Sequence, residues 1–190
     1  DLCGIAAKSK DELNGLFTEG TRNMLIGCHR RSMDILFRKS YGEASPLPEF
    51  IHIDLIDSSF KDVAGKIDEF LADFSEKHNL VEIAEGSGWP SWYPLIDYSR
   101  CTSCGQCADF CLFGVYSKEE GRILVTDPEA CKNNCPACAR ICPATAIIFP
   151  KYRHGGAIGG SDMIDEKAEH QRQAQDIEEF LGDDIYQALQ

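Results

Sequence analysis

From Asp1 to Ile83 the apolar positions switch repeatedly between helical and alternating spacing. A short first helix runs to Ala7 with Asp1 as its cap, and Leu13, Leu16 and Phe17 share one face of a second helix over 10–17, closed by Glu19-Gly20. Met24-Leu25-Ile26-Gly27-Cys28 predicts a short buried strand. Helical spacing returns at Met33, Leu36 and Phe37, so a helix begins at Ser32 and stops near Tyr41-Gly42, before the loop 45–48. Phe50 to Ile56 alternates and predicts a strand that turns His52 and Asp54 to the face opposite Ile51 and Ile53. Phe60, Val63, Ile67, Phe70, Leu71 and Phe74 hold helical spacing across 60–76, and Leu80 to Ile83 predicts a further strand. Such alternation predicts a small α/β unit with parallel strands.

Glycine and proline punctuate Glu85 to Pro90, and the pattern beyond is of shorter elements. Leu95 to Tyr98 predicts a strand, Val115-Tyr116 and Ile123-Leu124-Val125 a hairpin about the turn 118–122, and Ile147 to Phe149 a closing strand. Trp89, Trp92 and Tyr93 are expected to pack this second unit onto the first. After Tyr152 the run Gly155 to Gly160 predicts a flexible linker. Residues 163–189 predict an acidic amphipathic helix or pair of helices, with Ile177, Phe180, Leu181, Ile185 and Leu189 on one stripe. That stripe needs cover from its own chain, from a second copy in a homodimer, or from a partner in a larger complex. The expected architecture is α+β overall: an α/β domain over 1–88, a second domain over 89–152, and a linker with a helical tail over 153–190.

Eight of the ten cysteines fall within that second domain. Cys101, Cys104, Cys107 and Cys111 are spaced C-x2-C-x2-C-x3-C, and Cys131, Cys135, Cys138 and Cys142 are spaced C-x3-C-x2-C-x3-C-P. CADFCLFGVY at 107–116 aligns with CARICPATAI at 138–147, so the two runs form an internal repeat with one extra residue in the second loop. Thiolates two or three residues apart on a tight loop can gather on one face of an iron–sulfur cube, with the fourth cysteine placed a turn further on. Eight thiolates could instead hold two zinc ions, although zinc favours separated pairs. Disulfides are disfavoured by the intracellular setting expected below.

These runs resemble the bacterial-type ferredoxin family that binds two [4Fe-4S] clusters, over roughly residues 93–152. The resemblance implies a ferredoxin-like two-cluster domain in which the fourth cysteine of each run ligates the other cluster. One cluster would then take Cys101, Cys104, Cys107 and Cys142, and the other Cys131, Cys135, Cys138 and Cys111. Two departures stand out: Leu112 follows Cys111 where the family usually has proline, and the second loop is lengthened among Lys132, Asn133 and Asn134. The segment around Cys28 also resembles the N-terminal extension of longer bacterial ferredoxin-family proteins.

The composition narrows the setting. The chain has 190 residues, 43% of them hydrophobic, and a formal charge of −12. Residues 93–152 balance at six acids and six bases, whereas 153–190 hold nine acids and three bases. This field disfavours nucleic acid, which needs a basic footprint, and favours an acidic surface docking on a basic patch of a redox partner protein. No run approaches the ~18 apolar residues of a spanning helix, and no charged-then-apolar leader follows Asp1, so a cytoplasmic protein without a membrane span is expected.

Outside the runs, Cys28 closes a strand before a helix N-terminus and is flanked by His29, Arg30 and Arg31. A helix dipole and three potential cations would lower its pKa and make it a candidate redox thiol. The stretch GGAIGG has no second strand behind it, and neither a Ser-His-Asp nor an HExxH pattern is present, so a catalytic role of the chain's own lacks support. The leading expectation is single-electron relay, by a free ferredoxin or a subunit of a larger oxidoreductase. The alternative is a thiol-redox enzyme or sensor acting through Cys28, with the clusters supplying electrons. Structural clusters without a redox role are the third reading.

Overall fold

The computed structural model describes residues 2–8, 13, 17, 20, 22–42, 46–72 and 88–174. Most of the helix expected over 10–17, the strand at 80–83 and the tail stripe from Ile177 onward lie outside the described residues.

A four-residue strand is stable only when paired and covered, and both needs are met locally. β1 (Met24–Gly27) pairs in parallel with β2 (Ile51–Asp54), Met24 opposite Ile51 and Gly27 opposite Asp54. The crossover is α2 (Arg30–Tyr41), which buries Ser32, Met33, Leu36 and Phe37, the face its apolar spacing predicts. It packs on α1 (Leu2–Lys8), whose Cys3, Ile5 and Ala6 are buried, and its Phe37 and Tyr41 join Phe17 and Phe50 in an aromatic group.

After β2, α3 (Phe60–Leu71) starts at Ser59, whose hydroxyl accepts the Asp62 N–H and donates to the Asp62 carboxylate. Helical spacing places this element, but its stripe is less covered than the pattern implies. Val63 is its one buried residue, and Phe60 is 88% exposed.

The second half is built on two short two-stranded sheets and two short helices. β3 (Leu95–Ile96) pairs antiparallel with β6 (Ile147–Ile148). β4 (Tyr116–Glu119) and β5 (Arg122–Val125) form the expected hairpin, turning through Glu120 and Gly121, both at positive φ as a type I′ turn requires. Between them in sequence lie α4 (Gln106–Phe110), a 3-10 turn at Pro128–Ala130, and α5 (Ala137–Arg140).

The β3–β6 pair is a wall between two cores. Leu95 and Ile148, opposite one another, join Tyr93, Cys3, Leu13, Met33, Leu36 and Phe37 in the first core. Ile96 and Ile147, the next pair, face Trp92, Ile123, Phe149 and the buried cysteines in the second. Period-two alternation in two residues per strand thus serves both sides. Of the aromatic residues expected at the junction, Tyr93 and Trp89 pack in the first core and Trp92 in the second. Tyr93 stacks on Trp89 and donates its hydroxyl to the Cys3 carbonyl at 2.7 Å, and Trp92 stacks on Phe149.

The glycine-rich stretch is not a loose linker. Residues Gly156–Gly159 form a helical turn, α6, with Ala157 1% exposed, and the Phe149 N–H donates to the Ile158 carbonyl at 2.7 Å. Composition suggested flexibility, but Gly160 serves close approach. A Cβ on Gly160, which has φ +98°, would lie 1.9 Å from the Ser32 hydroxyl oxygen of α2. Gly160→Ala is therefore expected to destabilise the chain by about 2–4 kcal/mol, measured as a drop in the chemical-denaturation midpoint with unchanged slope.

Residues 166–174 form a further helix, α7, capped by Asp165, whose carboxylate accepts the N–H groups of Lys167 and Ala168. It lies on the cysteine loops: Glu166 pairs with Arg100, and Gln173 donates to the Cys142 carbonyl. Among the described residues no helix is long and apolar enough to cross a membrane.

Candidate metal centre

The first cysteine loop leaves β3 through a turn in which the Asp97 carbonyl accepts the N–H groups of Arg100 and Cys101. Ser103 and Gly105 take positive φ, which curls the chain so that Cys101, Cys104 and Cys107 face inward. These three and Cys142 line one small cavity, walled by Ile96, Ile123, Ala146 and Ile147. Sulfur-directed donors are already aimed at it. The Ser103 N–H lies 3.4 Å from Cys101 Sγ, and the Ala146 N–H 3.4 Å from Cys142 Sγ.

Electrostatics groups the same four. Burial, followed by repulsion from Cys142, Cys101 and Cys104, pushes the Cys107 thiol up to about 11. Cys131 and Cys138 behave alike. Burial, with Cys135 and Cys111 as charged neighbours, pushes Cys131 up to about 12. Burial also takes Cys138 to about 12, with Cys131, Cys111 and Cys107 adding to it against a hydrogen bond that opposes them. That bond comes from Tyr116, whose hydroxyl donates to Cys138 Sγ at 3.0 Å. Thiols that repel one another this way ionise together only with a cation among them.

Cys111 ends α4 with its N–H on the Cys107 carbonyl, and the chain then turns at the surface. Leu112, in the place of proline, is 93% exposed there, so the substitution leaves the packing around the cysteines untouched. The extra residue of the second loop is absorbed in a turn over Lys132 to Cys135: the Cys135 N–H donates to the Lys132 carbonyl, and Asn134 takes φ +59°. The Trp92 indole N–H reaches the Cys135 carbonyl, tying that loop to the second core.

Cys28 departs from expectation. Its thiol is pushed up, first by burial and next by the Asp54 carboxylate, rather than lowered. The expected cations point elsewhere: His29 holds Asp54 at 2.7 Å, Arg30 holds Asp34 and Arg31 holds Asp97. Cys3 is buried in the first core. His52 is a hydrogen-bonding residue, as read from its strand position, with its Nε2 2.9 Å from the Cys28 carbonyl.

Two contributors escaped sequence reasoning. Tyr116 carried a signal, an aromatic beside the first cysteine run, but nothing that aimed its hydroxyl at the second. Arg31 contacts Asp97, Thr145 and Ala157, partners 66 or more residues away that no local pattern joins.

Residues 94–114, which include Cys101, Cys104, Cys107 and Cys111, match the family described as the 4Fe-4S binding domain. Over 61 residues, 32% of this chain, the sequence is 51% identical to an uncharacterized ferredoxin of Methanocaldococcus jannaschii. The aligned part spans 42% of that relative's length. The chain thus carries a 4Fe-4S binding domain and is homologous over part of its length to a ferredoxin.

Proposed function

We propose that the chain relays single electrons through two [4Fe-4S] clusters. One is held by Cys101, Cys104, Cys107 and Cys142, the other by Cys131, Cys135, Cys138 and Cys111. The observation that supports this is that Cys142 of the second run lines one cavity with Cys101, Cys104 and Cys107, while Cys111 of the first run is a charged neighbour of both Cys131 and Cys138. The clusters supply reversible one-electron chemistry when bound.

The chain's own residues gather the sulfurs, exclude water and direct hydrogen bonds at them. Ile96, Ile123 and Ile147 dry one side of the first site. Cys104 and the turn Phe110-Cys111-Leu112-Phe113 stand at the surface, where an electron can enter or leave. An acidic surface suits a redox partner with a basic patch, and a cytoplasmic carrier or a relay subunit of an oxidoreductase both fit this role. The raised Cys28 thiol gives no support to a thiol-redox enzyme.

Anaerobic reconstitution tests the reading. About eight iron and eight acid-labile sulfide per chain are expected, bleached reversibly by a low-potential reductant. About four iron would remove the second cluster, bound zinc without colour would remove both, and iron that resists reduction would leave only a structural role.

Tyr116 offers a finer test. Its O–H donates to a sulfur that gains negative charge on reduction, so it stabilises the reduced state. Tyr116→Phe should lower one of two reduction potentials by about 20–60 mV, read by spectroelectrochemical titration.

A further inference from the structure

We propose that His29, Asp54 and Asp57 form a site for a divalent first-row cation (Mn2+, Fe2+ or Zn2+), built from none of the cysteines of the two runs. The three residues converge where β1 and β2 both end. His29 stands two residues past Gly27, Asp54 is the last residue of β2, and Asp57 follows in the turn before α3. In sheets with parallel strands this carboxyl edge is where ligands are held, because the loops diverge there.

The geometry suits one ion. His29 Nδ1 lies 2.7 Å from Asp54 Oδ2 and 3.6 Å from Asp57 Oδ2, and the three donor atoms all fall within 4.8 Å of one another. Adjacent ligands on an ion at about 2.0–2.2 Å stand roughly 3–3.5 Å apart, so only the closest pair has to open, by about half an ångström.

The donors are held in place by a second layer. Asp54 Oδ1 accepts the N–H groups of Ile56 at 2.8 Å and Asp57 at 3.4 Å, which leaves Oδ2 directed at His29. The His29 side chain is 6% exposed, and His52 fixes the carbonyl just before it. Such outer contacts orient metal ligands in established sites.

Charge points the same way. Among the described residues, the salt bridges that reach Asp54 and Asp57 both come from His29, while the neighbouring Arg30 and Arg31 are committed to Asp34 and Asp97. Two carboxylates facing one imidazole carry a charge that a divalent ion cancels. One nitrogen and two carboxylate oxygens suit Mn2+, Fe2+ or Zn2+. Three protein ligands leave coordination positions for water or a ligand oxygen on the side of Asp57, which is 72% exposed.

Equilibrium dialysis of the cluster-containing protein against Mn2+, under anaerobic conditions, tests the site with an ion that thiolates bind weakly. The expected result is one Mn2+ per chain, with affinity reduced about tenfold or more in Asp57→Asn and His29→Gln and unchanged in Asp68→Asn, an exposed acid on α3. Equal iron content in all four proteins reports that they are folded alike, and Asp57→Asn alters only a surface side chain. Failure of the wild-type chain to retain Mn2+ at millimolar concentration overturns the proposal. So does retention that is the same in both ligand variants as in the wild type.

Discussion

Cys142→Ala is expected to leave a chain with about half of its iron. Cys142 belongs to the second run, yet it lines the cavity of Cys101, Cys104 and Cys107 and receives the Ala146 N–H on its sulfur. Its loss removes the fourth thiolate from that set alone, and a four-iron cube with an unprotected corner is lost on desalting. If each run held its own cluster, the other site would empty instead. The surviving cluster identifies itself through Tyr116, which donates to Cys138 of the second set. Tyr116→Phe in the Cys142→Ala background should still lower the remaining potential, whereas in Cys111→Ala it should have no effect. A remaining potential that Tyr116→Phe does not move in Cys142→Ala would falsify the crossed assignment.

Arg31→Ala is expected to cost about 3–5 kcal/mol of folding stability and to speed the loss of iron. The guanidinium Nε donates to Asp97 at 2.8 Å, and its other nitrogens donate to the carbonyls of Thr145 at 3.1 Å and Ala157 at 3.5 Å. Asp97 precedes Cys101, and Thr145 follows Cys142, so one α2 side chain braces both segments of the first thiol set and α6 as well. With side-chain exposures of 9% and 12%, the pair leaves an uncompensated buried carboxylate when the arginine goes. Arg31→Lys, which keeps the charge but lacks the fork, should fall between.

Acid gives a second readout. Burial raises Asp97, but the Ser99 hydroxyl and Arg31 more than reverse it, so its folded pKa lies below the unfolded value. Its stabilisation is then complete above that unfolded value, near ~3.9, and fades as pH falls through the folded one. Arg31→Ala should flatten this part of the stability–pH curve, measured by denaturant melts at stepped pH.

Much of this was legible in the chain. The spacing of Met33, Leu36 and Phe37 predicted the buried face of α2, and the parallel β1–β2 pair followed from strand–helix alternation. The cysteine runs carry their own spacing, so the candidate site could be read without a fold. What failed did so for identifiable reasons. Gly155 to Gly160 read as flexible because composition cannot register the Ser32 hydroxyl of α2, which lies 1.9 Å from a Cβ added at Gly160. Cys28 read as activated because neighbours in sequence were taken as neighbours in space, while Arg30 and Arg31 turn to Asp34 and Asp97. The exposed Phe60 shows the limit of periodicity, which orders a helix face but does not supply its cover.

The wall formed by Leu95-Ile96 and Ile147-Ile148 has a consequence for the life of the chain in a cell. Each strand has one residue in either core, so neither core can loosen without moving a wall of the other. A ligand that binds only the folded state stabilises the whole of a cooperative unit, not just its own loops. Iron supply would then govern the survival of the N-terminal half as well. A freshly made chain that found no metal would offer α1, α2 and the β1–β2 pair to proteases along with the cysteine loops, so turnover would remove it entire instead of trimming it to a stable fragment.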